Sequence, residues 1–244
     1  MATKWKPNDF ELETSTVWSF PEHGKWATHD STYRGNWSPY IPRNLLLRYS
    51  KKGDLVLDPF IGGGTTAIEA KLLGRDCIGI DVNPNSIERC KSKCDFNYPQ
   101  AGNVSIRLGD ARDISFLQDQ SVDFICTHPP YADIITYNED LENDLSRLPI
   151  IPFLAEMEKV ADECFRVLKK GKFCAVLIGD MRKKGCVIPL SFYLMQIFTQ
   201  KGFTLKELII KEQHNCKATG FWKIRSLQYN FLLLKHEHLF VFYK

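Results

Sequence analysis

The chain has 244 residues, 44% hydrophobic and 25% charged, a composition that suits one globular domain with a full core. No apolar run is long enough to span a bilayer, and the start MATKWKPNDFELETS lacks the charged-then-apolar pattern of a secretory leader, so a cytoplasmic protein without a membrane partner is expected. A net charge of +3 is too small for a non-specific nucleic-acid coat, and any such contact has to come from a local patch.

The first 52 residues are rich in Trp, Tyr, Pro, Thr and His, with little periodicity before Pro42 to Tyr49. Residues 1–36 are expected to be an arm or lid, and 37–244 a single catalytic domain. From residue 53 onward, short apolar runs alternate with amphipathic stretches, the pattern of a parallel α/β sheet. Residues 54–58 give a buried strand ending in Asp58, and Thr65 to Leu73 a helix stopped by Gly74. Residues 77–81 give a second strand ending in Asp81, and Pro84 suits the first turn of the helix that follows. Strands at 104–108 and 122–126 come next, the latter running into His128-Pro129-Pro130-Tyr131. A helix over 153–168 closes with Lys169-Lys170-Gly171, before a strand at 173–178, a helix at 190–198 and a final antiparallel pair near 205–210 and 231–242. The expected fold is therefore α/β, doubly wound and Rossmann-like: a mostly parallel seven-stranded sheet with an antiparallel C-terminal strand.

Of the eight cysteines, Cys77, Cys126 and Cys174 fall in apolar strands and Cys90 and Cys94 in a helix, so they read as reduced, buried small hydrophobes. No CxxC pair is present, and the grouping His214, Cys216, His236, His238 matches no ligand spacing, so no metal is expected.

In open parallel sheets, ligands bind outside the carboxyl ends of the strands. The loop Asp58-Pro59-Phe60-Ile61-Gly62-Gly63-Gly64-Thr65-Thr66 lets the backbone approach a ligand and opens onto free helix N–H groups, but it lacks the Gly-Lys-Ser/Thr ending of a phosphate loop. Asp81 is placed to accept from both hydroxyls of a ribose, and Asp110 from an adenine amino group. Each alone would be a routine strand-end acid; in register they point to a nucleoside cofactor. At the fourth of these strands, two prolines fix a rigid extended turn. The carbonyls of His128 and Pro129 then aim at one spot, where an amino group on a base could be held toward a methyl sulfonium while Tyr131 stacks on the ring. Such a base has to be flipped out of a duplex.

DPFIGGGTT together with THPPY resembles the S-adenosylmethionine-dependent amino methyltransferases of DNA, which make N4-methylcytosine or N6-methyladenine. The similarity runs over roughly residues 37–180, and NWSPYIP and HEHLFVF also resemble that family's segment against the cofactor's methionine end and its last strand. The resemblance implies that Trp37, Pro39, Asp58, Pro59, Phe60, Gly62, Gly64, Thr65, Thr66, Asp81, Asp110 and Thr127 bind S-adenosylmethionine. It also implies that His128, Pro129, Pro130 and Tyr131 are catalytic. The glycine loop precedes PPY here, the reverse of the commonest order with DPFxGxGTT, and His128 replaces the family's Asp, Asn or Ser. A neutral imidazole can accept a hydrogen bond as those residues do; a protonated one only donates, which disfavours activity at acid pH. Thr127 favours cytosine N4 over adenine N6 as the target.

No separate target-recognition region is visible, which leaves short segments at 132–150, 181–189 and 211–230. Arg182, Lys183, Lys184, Lys217, Trp222, Lys223 and Arg225 mix basic and aromatic side chains that fit phosphate contacts and base stacking; a solvated loop is the competing reading. The implied partners are double-stranded DNA, a second copy of the chain reading a short palindromic site, and a cognate endonuclease of a restriction-modification pair. The alternatives are an RNA base methyltransferase, acting on guanine N2 or similar, and a fold that binds without chemistry.

Overall fold

The computed structural model describes residues 4–8, 10–33, 35–132, 143–215 and 219–244. In chain order the elements are β1 (Val17–Trp18), α1 (Tyr40–Tyr49), β2 (Leu55–Asp58), α2 (Thr65–Leu72), β3 (Asp76–Asp81), α3 (Pro84–Cys94), β4 (Val104–Leu108) and β5 (Val122–Thr127). A 3₁₀ turn at Leu145–Arg147 precedes α4 (Ile150–Val167), β6 (Leu168–Ile178), β7 (Met181–Lys183), β8 (Cys186–Ile188), α5 (Leu190–Gln200), β9 (Thr204–Glu212), α6 (Thr219–Gln228) and β10 (His236–Tyr243). All seven expected strands are present, and the arm adds a two-residue eighth, giving the order β1-β9-β10-β6-β5-β2-β3-β4. Strands β4, β3, β2, β5 and β6 run parallel, whereas β10 lies antiparallel between β6 and β9. The strand order reverses direction between β2 and β5, so the crevice at their carboxyl ends is the topological switch point where such sheets bind ligands.

Apolar residues cover both faces of the sheet. Ile125 on β5 joins the layer under α4 and α5, while its neighbours Phe124 and Cys126 join the layer under α1, α2 and α3. Every residue of β5 is buried, as a central parallel strand requires. The arm is stitched into the second layer: Trp18 and Trp26 are 1% and 2% exposed. Glu69, buried on α2, accepts from Trp26 Nε1 at 2.6 Å and Arg43 Nη1 at 2.9 Å and pairs with His29 Nε2 at 2.8 Å. Cys77, Cys90, Cys94, Cys126, Cys164 and Cys174 are buried free thiols, Cys186 is exposed, and Cys216 lies outside the described residues.

Three local expectations need correction. Helix α4 ends at Val167 and passes straight into β6; Lys169-Lys170-Gly171 forms an irregularity within the strand, where pairing with β5 jumps from Val122↔Leu168 to Phe124↔Phe173. The turn after β6 is a hairpin, β7–β8, whose two-residue turn Lys184–Gly185 has φ values of 50° and 83° that match the twist of its strands. Residues 219–228 form α6 rather than loop, and β10 accordingly begins at His236 instead of Phe231. No helix among the described residues is long and apolar enough to cross a membrane, and none of their His, Cys, Asp and Glu side chains form a group of three that could hold a metal ion.

Candidate active site

Strand β2 delivers Asp58 to the switch point, where it braces three elements. Its carboxylate accepts from Thr66 Oγ1 at 2.6 Å, Thr127 Oγ1 at 2.7 Å and the Phe60 N–H at 3.1 Å. Burial pushes this carboxyl up to about 6 against the opposing pull of those bonds. Thr66 and Thr127 are thus turned into the protein, and Gly64, the residue before α2, packs on Cys90. Pro39 stands at the start of α1 with its ring near Gly24. These four expected cofactor residues are not among those lining the cleft.

The cleft is open to solvent and spans about 850 Å³ counted with its mouth. Its floor is Pro59 to Gly62 with Thr65; one side carries Asp81, Val82, Asn83, Asp110 and Ala111, and the other His128, Pro129 and Pro130. The Asp81 carboxylate takes the Gly62 N–H at 3.0 Å and the Asn83 N–H at 2.8 Å, which latches the glycine loop to β3. Burial raises its carboxyl above the ordinary value, against those two bonds. Asp110 also reaches the cleft, but Arg112 Nε spans both of its oxygens at 2.9 and 3.1 Å, and the same guanidinium reaches Glu156 at 2.7 Å. Its expected adenine contact therefore has to share those oxygens with Arg112.

The arm forms the roof. Asn36 Oδ1 lies 2.5 Å from where a side chain on Gly63 would begin, so any such side chain would push Asn36 aside. The Tyr33 hydroxyl is 2.8 Å from Ser86 Oγ, and Asp30 anchors the arm to α3 through Arg89 at 2.7 Å. Trp37 stacks on the His128 ring with centroids 5.8 Å apart and 27° between planes.

Behind the proline turn stands a network that no motif announced. Tyr131 donates its hydroxyl to Glu237 Oε1 at 2.6 Å, and Lys211 Nζ donates to Glu237 Oε2 at 2.7 Å. Tyr131 is wedged against Gly179, where a Cβ would lie 2.9 Å from its ring and hydroxyl. His128 Nε2 is 3.5 Å from the Tyr131 hydroxyl and 4.0 Å from Glu237. Burial lowers the imidazole below its ordinary value; Glu237 raises it, Lys211 lowers it, and a backbone bond to Gly35 raises it. For Glu237, burial alone would raise the carboxyl, but Lys211, His128 and the two bonds outweigh it and hold it at about 2. The signal available in the sequence was a lone acid inside the apolar run HEHLFVFY; its partner Lys211, opposite it in the β9–β10 register, required the topology. Tyr33, Asn83 and Asn143 to Leu145 are further lining residues that no periodicity marked.

The expected nucleic-acid residues separate into two kinds. Arg182 is a structural clamp, donating to Gly185 O at 2.7 Å and Leu232 O at 3.0 Å with its guanidinium over Phe231. Lys183 and Lys184 are exposed on the hairpin, and Trp222, Lys223 and Arg225 are exposed on α6, where Phe221, Ile224 and Leu227 are also in solvent. Lys217 and residues 133–142 lie outside the described residues.

The chain matches the family model described as a methyltransferase domain over residues 50–220, and one described as a DNA methylase over residues 2–92. It is similar to a tRNA (guanine(10)-N2)-dimethyltransferase of Methanothermobacter thermautotrophicus, 29% identical over 57% of the chain and 45% of that protein. It is also similar to the type II methyltransferase M.HpaI of Haemophilus parainfluenzae, 33% identical over 38% of the chain and 30% of that protein. The aligned part thus spans less than half the length of these curated relatives. A crystal structure of a SAM-dependent methyltransferase from Methanosarcina mazei shares the fold with a TM-score of 0.58 and 16% identity, covering 82% of this chain and 96% of that one.

Proposed function

The chain belongs to the methyltransferase-domain family, with S-adenosylmethionine as its methyl donor, and on that premise we propose that it methylates an exocyclic amino group of a DNA base, cytosine N4 ahead of adenine N6. The observation that carries this reading is the shared cleft: the glycine loop, latched by Asp81, forms its floor, with Asp81 on one side and His128-Pro129-Pro130 on the other. The residues fit the cofactor. Each Asp81 oxygen takes one N–H, and a carboxylate offers about four acceptor positions, so both oxygens retain capacity for ribose hydroxyls. The cofactor supplies an electrophilic methyl group on a sulfonium centre.

The chain's own residues do the rest. Carbonyls held rigid by consecutive prolines accept the amino hydrogens and point the nitrogen at the methyl group, and His128 adds an acceptor while it stays neutral. Tyr131 stands behind the lining residues, fixed between Gly179 and Glu237, and in this reading its ring meets the base once the base has entered. Holding both reactants in line removes much of the entropic barrier. In this reading, residues 1–36 act as a lid over the cofactor, and the segments at 132–150, 181–189 and 211–230 contact duplex DNA. A homodimer and a cognate restriction endonuclease belong to the same reading.

A second reading, transfer to guanine N2 in RNA, is supported by the name and longer alignment of the tRNA-modifying relative. Incubation with methyl-labelled cofactor and duplex DNA, single-stranded RNA or tRNA, followed by digestion to nucleosides, tests both. Label in N4-methylcytosine or N6-methyladenine is expected; label in methylguanosine alone would favour the RNA reading, and label in none would remove the catalytic one.

A further inference from the structure

The buried pair behind the proline turn is not needed to hold the strands. Glu237 and Lys211 stand opposite each other in the β9–β10 register, joined at 2.7 Å, with side chains only 8% and 15% exposed. Two apolar residues would join those strands without the cost of removing two charges from water. The oxygen that does not face the lysine has other contacts: Oε1 accepts from Tyr131 at 2.6 Å and lies 4.0 Å from His128 Nε2. A single buried anion is therefore shared by both aromatic members of THPPY.

We propose that Glu237 is a positioning residue for methyl transfer, fixing the Tyr131 ring and stabilising His128 in the charged form it takes on accepting the proton that the amino group gives up, with Lys211 tempering that pull. The inference rests on the amino-methyltransferase reading. In the transfer, the amino nitrogen forms a bond to the methyl carbon as the carbon–sulfur bond breaks, and that bond's electron pair stays on sulfur, leaving a neutral thioether. The nitrogen becomes cationic and must lose one proton. His128 Nε2 accepts it with its lone pair, holds it beside the Glu237 carboxylate, and passes it to water at the mouth of the cleft.

The titratable and charged groups bearing on His128 are Glu237 from β10, Lys211 from β9 and Tyr131 from its own loop, while Trp37 and Gly35 cover it from the arm. Their signs differ: the carboxylate favours the imidazolium and the ammonium opposes it. Such opposite shifts follow from charge alone, so the rate profile, not the titration, separates a positioning role from a structural one.

The test titrates the His128 imidazole by NMR in the ligand-free protein and measures kcat and kcat/KM for methyl transfer against pH, in the wild type, Glu237→Gln and Lys211→Met. Glu237→Gln is expected to move the His128 midpoint and the acid limb of the rate profile to lower pH. It should also cut kcat, by up to about a hundredfold, the lower end of a proton-transfer effect, with little change in the KM for cofactor. Lys211→Met is expected to move both midpoint and limb to higher pH. Should Glu237→Gln fail to fold for want of a partner to Lys211, the double variant replaces it, and its midpoint should lie below that of Lys211→Met alone. Shifts of one sign in both variants, or none, overturn the proposal, as does methyl transfer whose acid limb stays fixed. Opposite NMR shifts in a protein that methylates no nucleic acid would instead overturn the amino-methyl reading, and the catalytic role with it.

Discussion

Glu69 does for the arm what Asp58 does for the glycine loop. It sits in the middle of α2 with no exposed surface and gathers an indole, a guanidinium and an imidazole that all lie N-terminal to the first long strand. Truncating one partner of a buried charged network leaves the others desolvated and unpaired, which costs about 3–5 kcal/mol. Glu69→Ala is accordingly expected to lose stability on that scale in urea unfolding. It should also weaken S-adenosylmethionine binding, because Asn36 and Trp37 reach the cleft only while the arm is docked. A variant with full stability and unchanged cofactor affinity would show that the arm holds its place without this anchor.

Among the elements, α6 contrasts most with the rest of the chain. Its Ile224 and Leu227 are 70% and 80% exposed, alongside Trp222, Lys223 and Arg225. Most helical stability comes from burying an apolar face, and here that face points to solvent. Under the DNA reading, the duplex covers it. Replacing Trp222, Lys223 and Arg225 together by Ala should weaken duplex binding and lower the slope of log K against log salt by roughly 2, since each phosphate contact contributes about 0.9. Cofactor binding should stay unchanged, and an unaltered slope in filter binding would remove α6 from the interface. The helix was not legible in the sequence because its spaced apolar residues, Phe221, Ile224 and Leu227, cover only about two turns, too short a window to set a helical period apart from the competing reading, a solvated loop. The β7–β8 hairpin was hidden for a related reason: three-residue strands are too short to show alternation. By contrast, β2, β3 and β5 were plain, because central parallel strands are continuous apolar runs closed by a polar residue.

At the scale of the whole molecule, the alternation of strands and helices announced the seven main strands, the antiparallel end and the cleft at the β2/β5 reversal, but neither β1 nor the β7–β8 hairpin. What local pattern cannot give is partnership across the fold. Lys211 and Glu237, or Arg112 and Glu156, become neighbours only after the layers assemble, so the electrostatic half of the site stayed out of view.

The cysteines divide along those same layers: Cys164 on α4 and Cys174 on β6 belong to one, and Cys77, Cys90, Cys94 and Cys126 to the opposite face. Burial pushes the thiols of Cys77, Cys126 and Cys174 well above their ordinary range, and only a thiolate reacts readily. In a background with Cys186 and Cys216 changed to Ser, a thiol-alkylating reagent should therefore find nothing until a layer breathes open, and peptide mapping would show which one did so first. Cys90 touches Gly64, directly behind the cleft. Ligand binding to the closed form stabilises it against opening. Saturating cofactor is thus expected to slow alkylation of the arm-side set more than that of Cys164 and Cys174, whereas equal protection of both would mean that the two faces open as one unit. Unequal protection would give the chain a pair of internal clocks, one for each side of its sheet.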